Sequence, residues 1–148
     1  MKKTKLLLTT LFLFLCAVTF AQIRKVPAEV TNAFAEKFKD AKNVEWKDNV
    51  TNFEARFKMN SYDLSAYYNG KGEWQGTDTK MPYGDLPSAV KEGFGKSKYA
   101  DWDKGDHGYK IEKAKEEVLY RIYVKNGLNK KYLFFNETGK LEKEALTL

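Results

Sequence analysis

The sequence predicts an α+β fold: two tandem helix-plus-four-strand repeats that share one antiparallel sheet, with both helices on the same face. Three observations carry this. Val26-Pro27-Ala28-Glu29-Val30 followed by Phe34 returns sixty residues later as Leu86-Pro87-Ser88-Ala89-Val90 followed by Phe94. Phe53, Ala55 and Phe57 are answered by Tyr120, Ile122 and Val124. Tyr67-Tyr68-Asn69-Gly70-Lys71-Gly72 is answered by Phe134-Phe135-Asn136-Glu137-Thr138-Gly139. Self-similarity at this period indicates two copies of one supersecondary unit, spanning about 26–80 and 86–146. The offset grows from 60 to 67 along the unit, so the second copy carries about seven extra residues, assigned to 98–108.

The first 21 residues are read as a secretory signal peptide and excluded from the fold. Lys2, Lys3 and Lys5 form a basic start, Leu6 to Phe20 is a short apolar run, and small residues precede a cut at Gln22. The run is short for a membrane span, and Leu15 before Cys16 does not suit a lipid-attachment motif. Residues 22–148 then form a single domain, without the chain's one cysteine, destined for the periplasm or the exterior. The full chain has 26 basic and 20 acidic residues; losing three lysines leaves 23 against 20, or +3. Acidic and basic residues alternate, which describes a solvated mixed surface rather than a nucleic-acid stripe.

Each element follows from local chemistry. Pro27 suits a helix start, and Val30, Ala33, Phe34, Lys37 and Phe38 follow helical spacing, predicting a helix over 27–39. The matching helix, 87–98, contains Gly93 and Gly95, each costing about 1 kcal/mol relative to Ala, so it is predicted to be shorter. Beyond each helix the period becomes two. Val44/Trp46, Phe53/Ala55/Phe57 and Leu64/Ala66/Tyr68 alternate with polar residues, and Lys58–Ser61 and Asn69–Gly72 have hairpin-turn composition. In the second copy strands are predicted near 108–116, 117–125, 129–136 and 139–145. Residues 77–85, with Pro82 and Gly84, are read as the joint between copies.

No catalytic constellation emerges. His107 is the one histidine and lies in a turn-like Gly105-Asp106-His107-Gly108 without a cysteine partner in the mature chain, so it reads as an exposed loop residue. There is no glycine-rich phosphate loop. The chain is expected not to be an enzyme and to need no cofactor. One weaker candidate is calcium: Asp101, Asp103 and Asp106, with Glu112 twelfth from Asp101, partly match a cation-binding loop. The alternative function is thus a calcium-responsive periplasmic protein, although Asp and Gly also serve ordinary turns.

The face opposite the helices is more informative. In the first copy it carries Asn52, Glu54, Arg56, Asp63, Ser65 and Tyr67; in the second, Leu119, Arg121, Tyr123, Lys130, Tyr132 and Phe134. Tyr, Phe and Arg on an exposed sheet have the composition of a protein-binding hot spot. Arg121, Tyr123, Tyr132, Phe134 and Tyr67 are therefore the candidate partner-binding residues. Three alternatives compete: a one-residue register error, packing against the 98–108 insertion, and a homodimer interface.

The pattern Val-Pro-x-x-Val-x-x-x-Phe, then Ala41-Lys42-Asn43-Val44-Glu45-Trp46, then Tyr68-Asn69-Gly70-Lys71-Gly72-Glu73-Trp74, resembles the PepSY-like, β-lactamase-inhibitor-like proteins of Bacteroidetes. The second copy departs from it at Lys113, which maps onto Trp46. The resemblance implies a fold similar to the β-lactamase inhibitor protein, which grips its enzyme with a concave sheet face, and restraint of a peptidase as in related PepSY domains. It brings no catalytic residues. The expected function is a non-catalytic exported binding module, inhibitor-like, whose partner is a protein or peptide of the cell envelope.

Overall fold

The computed structural model describes residues 25–115 and 117–147. The expected signal peptide, with Cys16, lies outside the described residues. Within them the order is α1 (Ala28–Lys37), β1 (Lys42–Asp48), β2 (Phe53–Met59), β3 (Tyr62–Tyr68) and β4 (Trp74–Pro82). A 3₁₀ turn at Tyr83–Asp85 leads to α2 (Ser88–Gly95), β5 (Asp103–Lys113), β6 (Val118–Asn126), β7 (Asn129–Phe135) and β8 (Leu141–Leu146). The eight strands form one antiparallel meander in chain order. Among the described residues no helix is long and apolar enough to cross a membrane.

Directly opposed residues share a sheet face, so the register sorts the side chains. Phe57 faces Leu64, Leu64 faces Thr79, Thr79 faces Lys110, Lys110 faces Tyr120, and Tyr120 faces Phe135. Both helices pack on this face. Val30, Phe34 and Phe38 of α1 and the following residue bury against Phe53, Ala55, Phe57, Leu64, Ala66 and Tyr68. Val90 and Phe94 of α2 bury against Tyr120, Ile122, Val124, Leu133 and Phe135. Thr77, Thr79 and the Lys110–Glu112 ion pair (3.0 Å) occupy the helix-side face of β4 and β5, between the two apolar clusters. Phe34 anchors the first cluster, with its ring 5.0 Å from Phe57 and 5.3 Å from Trp46, both edge-on. Such pairs contribute about 0.5–1.5 kcal/mol beyond area burial.

The helices begin one residue after the predicted starts, since Pro27 and Pro87 hold extended N-cap positions. As expected from its glycines, α2 is shorter, with 8 residues against 10. Two hairpins use the same turn chemistry. The Asn69 side-chain oxygen accepts from the backbone N–H of Lys71 and Glu73, and that of Asn136 accepts from Thr138 and Lys140, all at 3.0 Å. Gly72 and Gly139 close these turns at φ +81°, in the left-handed region that glycine enters freely.

Two boundaries differ from the sequence reading. Residues 77–82 are not a joint but the second half of β4, paired with β5 from Gly76–Lys113 to Pro82–His107. Pro82 ends the strand there, where its missing N–H removes no interior ladder bond. The strand predicted at 108–116 instead starts at Asp103 and runs for 11 residues. The irregular register between Lys104 and Gly108 absorbs residues expected in a loop.

Candidate functional site

The face away from the helices is covered by no other element among the described residues. Its central row runs Lys58, Asp63, Lys80, Tyr109, Arg121, Phe134 and Lys143, each opposite the next across seven strands. Arg56, Ser65, Asp78, Ile111 and Leu119 form the row on one side. On the other side Tyr123 faces Tyr132, and Tyr132 faces Ala145. The register therefore places Arg121, Tyr123, Tyr132, Phe134 and Tyr67 on the uncovered face, and none belongs to either core cluster.

The two halves of this face differ chemically. On β2 and β3, charges are neutralised in place. Glu54 is 5% exposed and accepts from Arg56 Nε at 2.7 Å, Ser65 Oγ at 3.0 Å and Asn49 Nδ2 at 3.2 Å. Burial pushes its pKa up, but those hydrogen bonds and the Arg56 charge outweigh burial and hold it below the usual carboxylate value. Lys58 pairs with Asp63 at 3.2 Å. Asp78, further across, is raised by burial against the opposing pull of Arg121. Tyr67 is raised by burial and by the carboxylates of Asp78 and Glu54.

On β5 to β7 the motif is a cation layered with rings. The Arg121 guanidinium carbon lies 4.3 Å from the Tyr109 ring centre and 5.0 Å from that of Tyr132. Tyr132 meets Tyr123 edge-on at 5.8 Å, and Lys143 stands 5.5 Å from the Phe134 ring centre. Ring quadrupoles attract each cation and restrict its rotamers. Yet Arg121 Nε is buried and donates to no acceptor, a costly condition for a polar atom. An open groove of about 940 Å³ runs from Asn43 and Val44 on β1 to Tyr109 and Arg121.

Tyr109 and Lys143 were missed as site residues. Tyr109-x-Ile111-x-Lys113 alternates with period two after Gly108, and that signal places Tyr109 beside Arg121 once the β5 register is known. The 98–108 segment does reach this face: a Cβ on Gly105 would lie 3.7 Å from the Tyr123 side chain.

The acidic residues expected in a loop are placed differently. Asp101 lies in the turn before β5, whereas Asp103 and Asp106 are exposed strand residues, with Asp103 opposite Lys125. An extended strand separates Asp103 and Asp106 along its length, and the described residues contain no cluster of three His, Cys, Asp or Glu suited to a metal. Glu112 turns to the helix side and pairs with Lys110. His107 is exposed, as expected, but in β5 opposite Pro82 rather than in a loop.

Comparison with known proteins agrees with this architecture. A solved structure of a BLIP-like protein from Bacteroides fragilis superposes with TM-score 0.79 at 21% identity, covering 84% of this chain and 88% of that one. A DUF2874 family protein from Bacteroides ovatus gives TM-score 0.77 at 25% identity, over 83% and 89%. A structure from Bacteroides eggerthii, described as one of its "putative periplasmic proteins", gives 0.75 at 19% identity, over 83% and 90%. No curated protein matches the chain. The sequence pattern of the family described as "Putative beta-lactamase-inhibitor-like, PepSY-like" matches residues 52–143, more than half of the chain. The chain belongs to the PepSY-like, β-lactamase-inhibitor-like family.

Proposed function

We propose that this protein is a non-catalytic exported binding module that restrains an envelope protein by docking it on the uncovered sheet face. The observation that carries the reading is the Tyr109–Arg121–Tyr132 stack: a cation held between two rings on a face that no helix covers. Buried elsewhere, such rings would complete a core; half-exposed, with Tyr123 and Phe134 beside them, they form an anchor cluster of the residue types that dominate protein interfaces. Ordering costs are low because ring contacts already limit the Arg121 rotamers.

Three further points support it. The element order is compatible with two copies of a helix-plus-four-strand unit, and the copies differ most on the uncovered face, where Glu54, Arg56 and Tyr67 stand against Arg121, Tyr123 and Phe134. The basic, apolar N-terminus supports export, as does the structural neighbour described as periplasmic. The BLIP-like neighbour favours an inhibitor-like role over mere adhesion.

The test is affinity capture from envelope extract with the wild-type protein and with a Tyr123→Ala/Tyr132→Ala/Phe134→Ala variant as baits. The reading expects a saturable partner that the variant loses while remaining folded. Equal capture by both baits, or self-association as the only interaction, would count against it.

A further inference from the structure

We infer that the occupant of the β5–β8 half of this face is an acidic polypeptide segment whose carboxylates meet Arg121 and the neighbouring lysines while its apolar side chains pack on the tyrosines. This rests on the docking reading above and adds the chemistry of the partner.

Charge complementarity carries the inference. On the β1–β4 half, Arg56 and Lys58 already hold Glu54 and Asp63 as ion-pair partners, and Lys80, in no ion pair itself among the described residues, stands opposite Asp63. On the other half, Arg121, Lys125, Lys130 and Lys143 face outward from adjacent strands, and no ion pair among the described residues involves any of them. Lys125 and Lys130 stand directly opposite each other, an arrangement that is repulsive within the sheet. Asp103, opposite Lys125, is the nearby acid in register, and Lys113 at the far end is neutralised by Glu117 at 2.6 Å. Asp78 attracts Arg121 but forms no ion pair with it. The half-face therefore holds a surplus of positive charge that an incoming anion neutralises.

The guanidinium is built to receive that anion as a carboxylate. Tyr109 and Tyr132 flank it, and a planar guanidinium matches a carboxylate with paired N–H donors. Its buried Nε has no acceptor among the described residues. A polysaccharide polyanion fits less well. Tyr123 and Tyr132 stand between Arg121 and the Lys125–Lys130 pair, and Phe134 stands between Arg121 and Lys143, so the charge comes in separate patches with apolar neighbours rather than as a continuous track for an anionic chain.

The test is selection of random 12-residue peptides against protein purified from cells expressing the full chain. Selected peptides are then resynthesised with every Asp and Glu replaced by Asn and Gln. The inference expects peptides with net negative charge and at least one aromatic or branched residue, with the amide forms binding at least tenfold more weakly. Arg121→Gln should weaken the acidic forms at least tenfold and leave the amide forms unchanged, and Arg121→Lys, which keeps the charge, should lose less; melting curves check that both variants fold. Neutral or basic peptides that still depend on Tyr123, Tyr132 and Phe134 would overturn the acidic preference and leave the docking face standing. Peptides indifferent to those three residues would overturn both. Failure to select any peptide, Arg121-dependent binding of heparin in place of peptides, or a self-associated protein with this face occluded would each also overturn the inference.

Discussion

Gly93 on α2 and Gly139 in the β7–β8 turn touch backbone to backbone: a Cβ on Gly93 would lie 1.9 Å from the Gly139 carbonyl oxygen. Gly139 in turn leaves no room for its own Cβ, which would lie 2.0 Å from the Ala89 carbonyl oxygen. In the first half, Gly72 of the β3–β4 turn approaches the Glu29 carbonyl, where a Cβ would stand at 2.5 Å. Each helix is thus seated on a hairpin turn at a distance only glycine permits.

Gly93→Ala should therefore destabilise the protein although alanine is the better helix former. The clash is with backbone, so α2 must move, and overpacking of this kind costs about 1–3 kcal/mol. Gly95→Ala, two residues on, meets nothing within 4 Å and should stabilise by about 0.4–1 kcal/mol. Urea denaturation of both variants checks the opposite signs.

The Tyr68 hydroxyl is buried without a hydrogen-bond partner, and burial pushes its pKa up to about 12. Tyr68→Phe removes the stranded group and keeps the ring packed under Phe34. It should raise stability by about 1 kcal/mol, measured by the shift in denaturation midpoint.

Glu144 joins the segment after α2 to the far edge of the sheet. It accepts from the Tyr99 hydroxyl and pairs with Lys98 at 2.9 Å and Lys131 at 3.1 Å. The Tyr99 hydrogen bond, then those from Lys98 and Lys131, lower its pKa from 4.5 to about 2. A carboxylate with a depressed folded-state pKa stabilises fully above its unfolded value and loses that contribution as pH falls through the folded one. The contribution is therefore complete above about pH 4.5 and disappears toward pH 2. Glu144→Gln should be less stable at pH 7 and show a flatter loss of stability across that window. Thermal melts from pH 7 to pH 2 measure both.

Glu54 holds the polar half of the uncovered face together. Glu54→Ala removes the shared acceptor of Arg56, Ser65 and Asn49. It should cost about 1–3 kcal/mol, more than a typical surface substitution. If the midpoint does not move, the network has no structural weight.

The sequence carried the core more fully than the boundaries. Phe53, Ala55, Phe57 and their counterparts at 120, 122 and 124 alternate strongly, so period two placed them on the helix side. Residues 77–82 escaped because Thr77, Thr79 and Lys80 lack an apolar alternation, and that strand is held by its neighbours on both sides. Asp103 to His107 read as turn because Asp and Gly carry turn propensity; pairing with β6 overrode it. Gly93 looked like a helix-weakening residue, and its true constraint, the approach of Gly139 from 46 positions away, is tertiary. The placement of Arg121, Tyr123, Tyr132 and Phe134 on the outer face was legible from comparing the halves, whereas that of Tyr109 depended on a β5 register that no local pattern specifies.

The central claim, that the uncovered face is the docking surface, is tested most directly by site-specific photo-crosslinking. A photoreactive phenylalanine analogue is placed at Tyr132 on that face or at the exposed Glu36 on α1, and envelope extracts are irradiated. The account predicts a discrete adduct from position 132 that unlabelled wild-type protein competes away, and none from position 36. Adducts from position 36 alone, or from both positions equally, would contradict it.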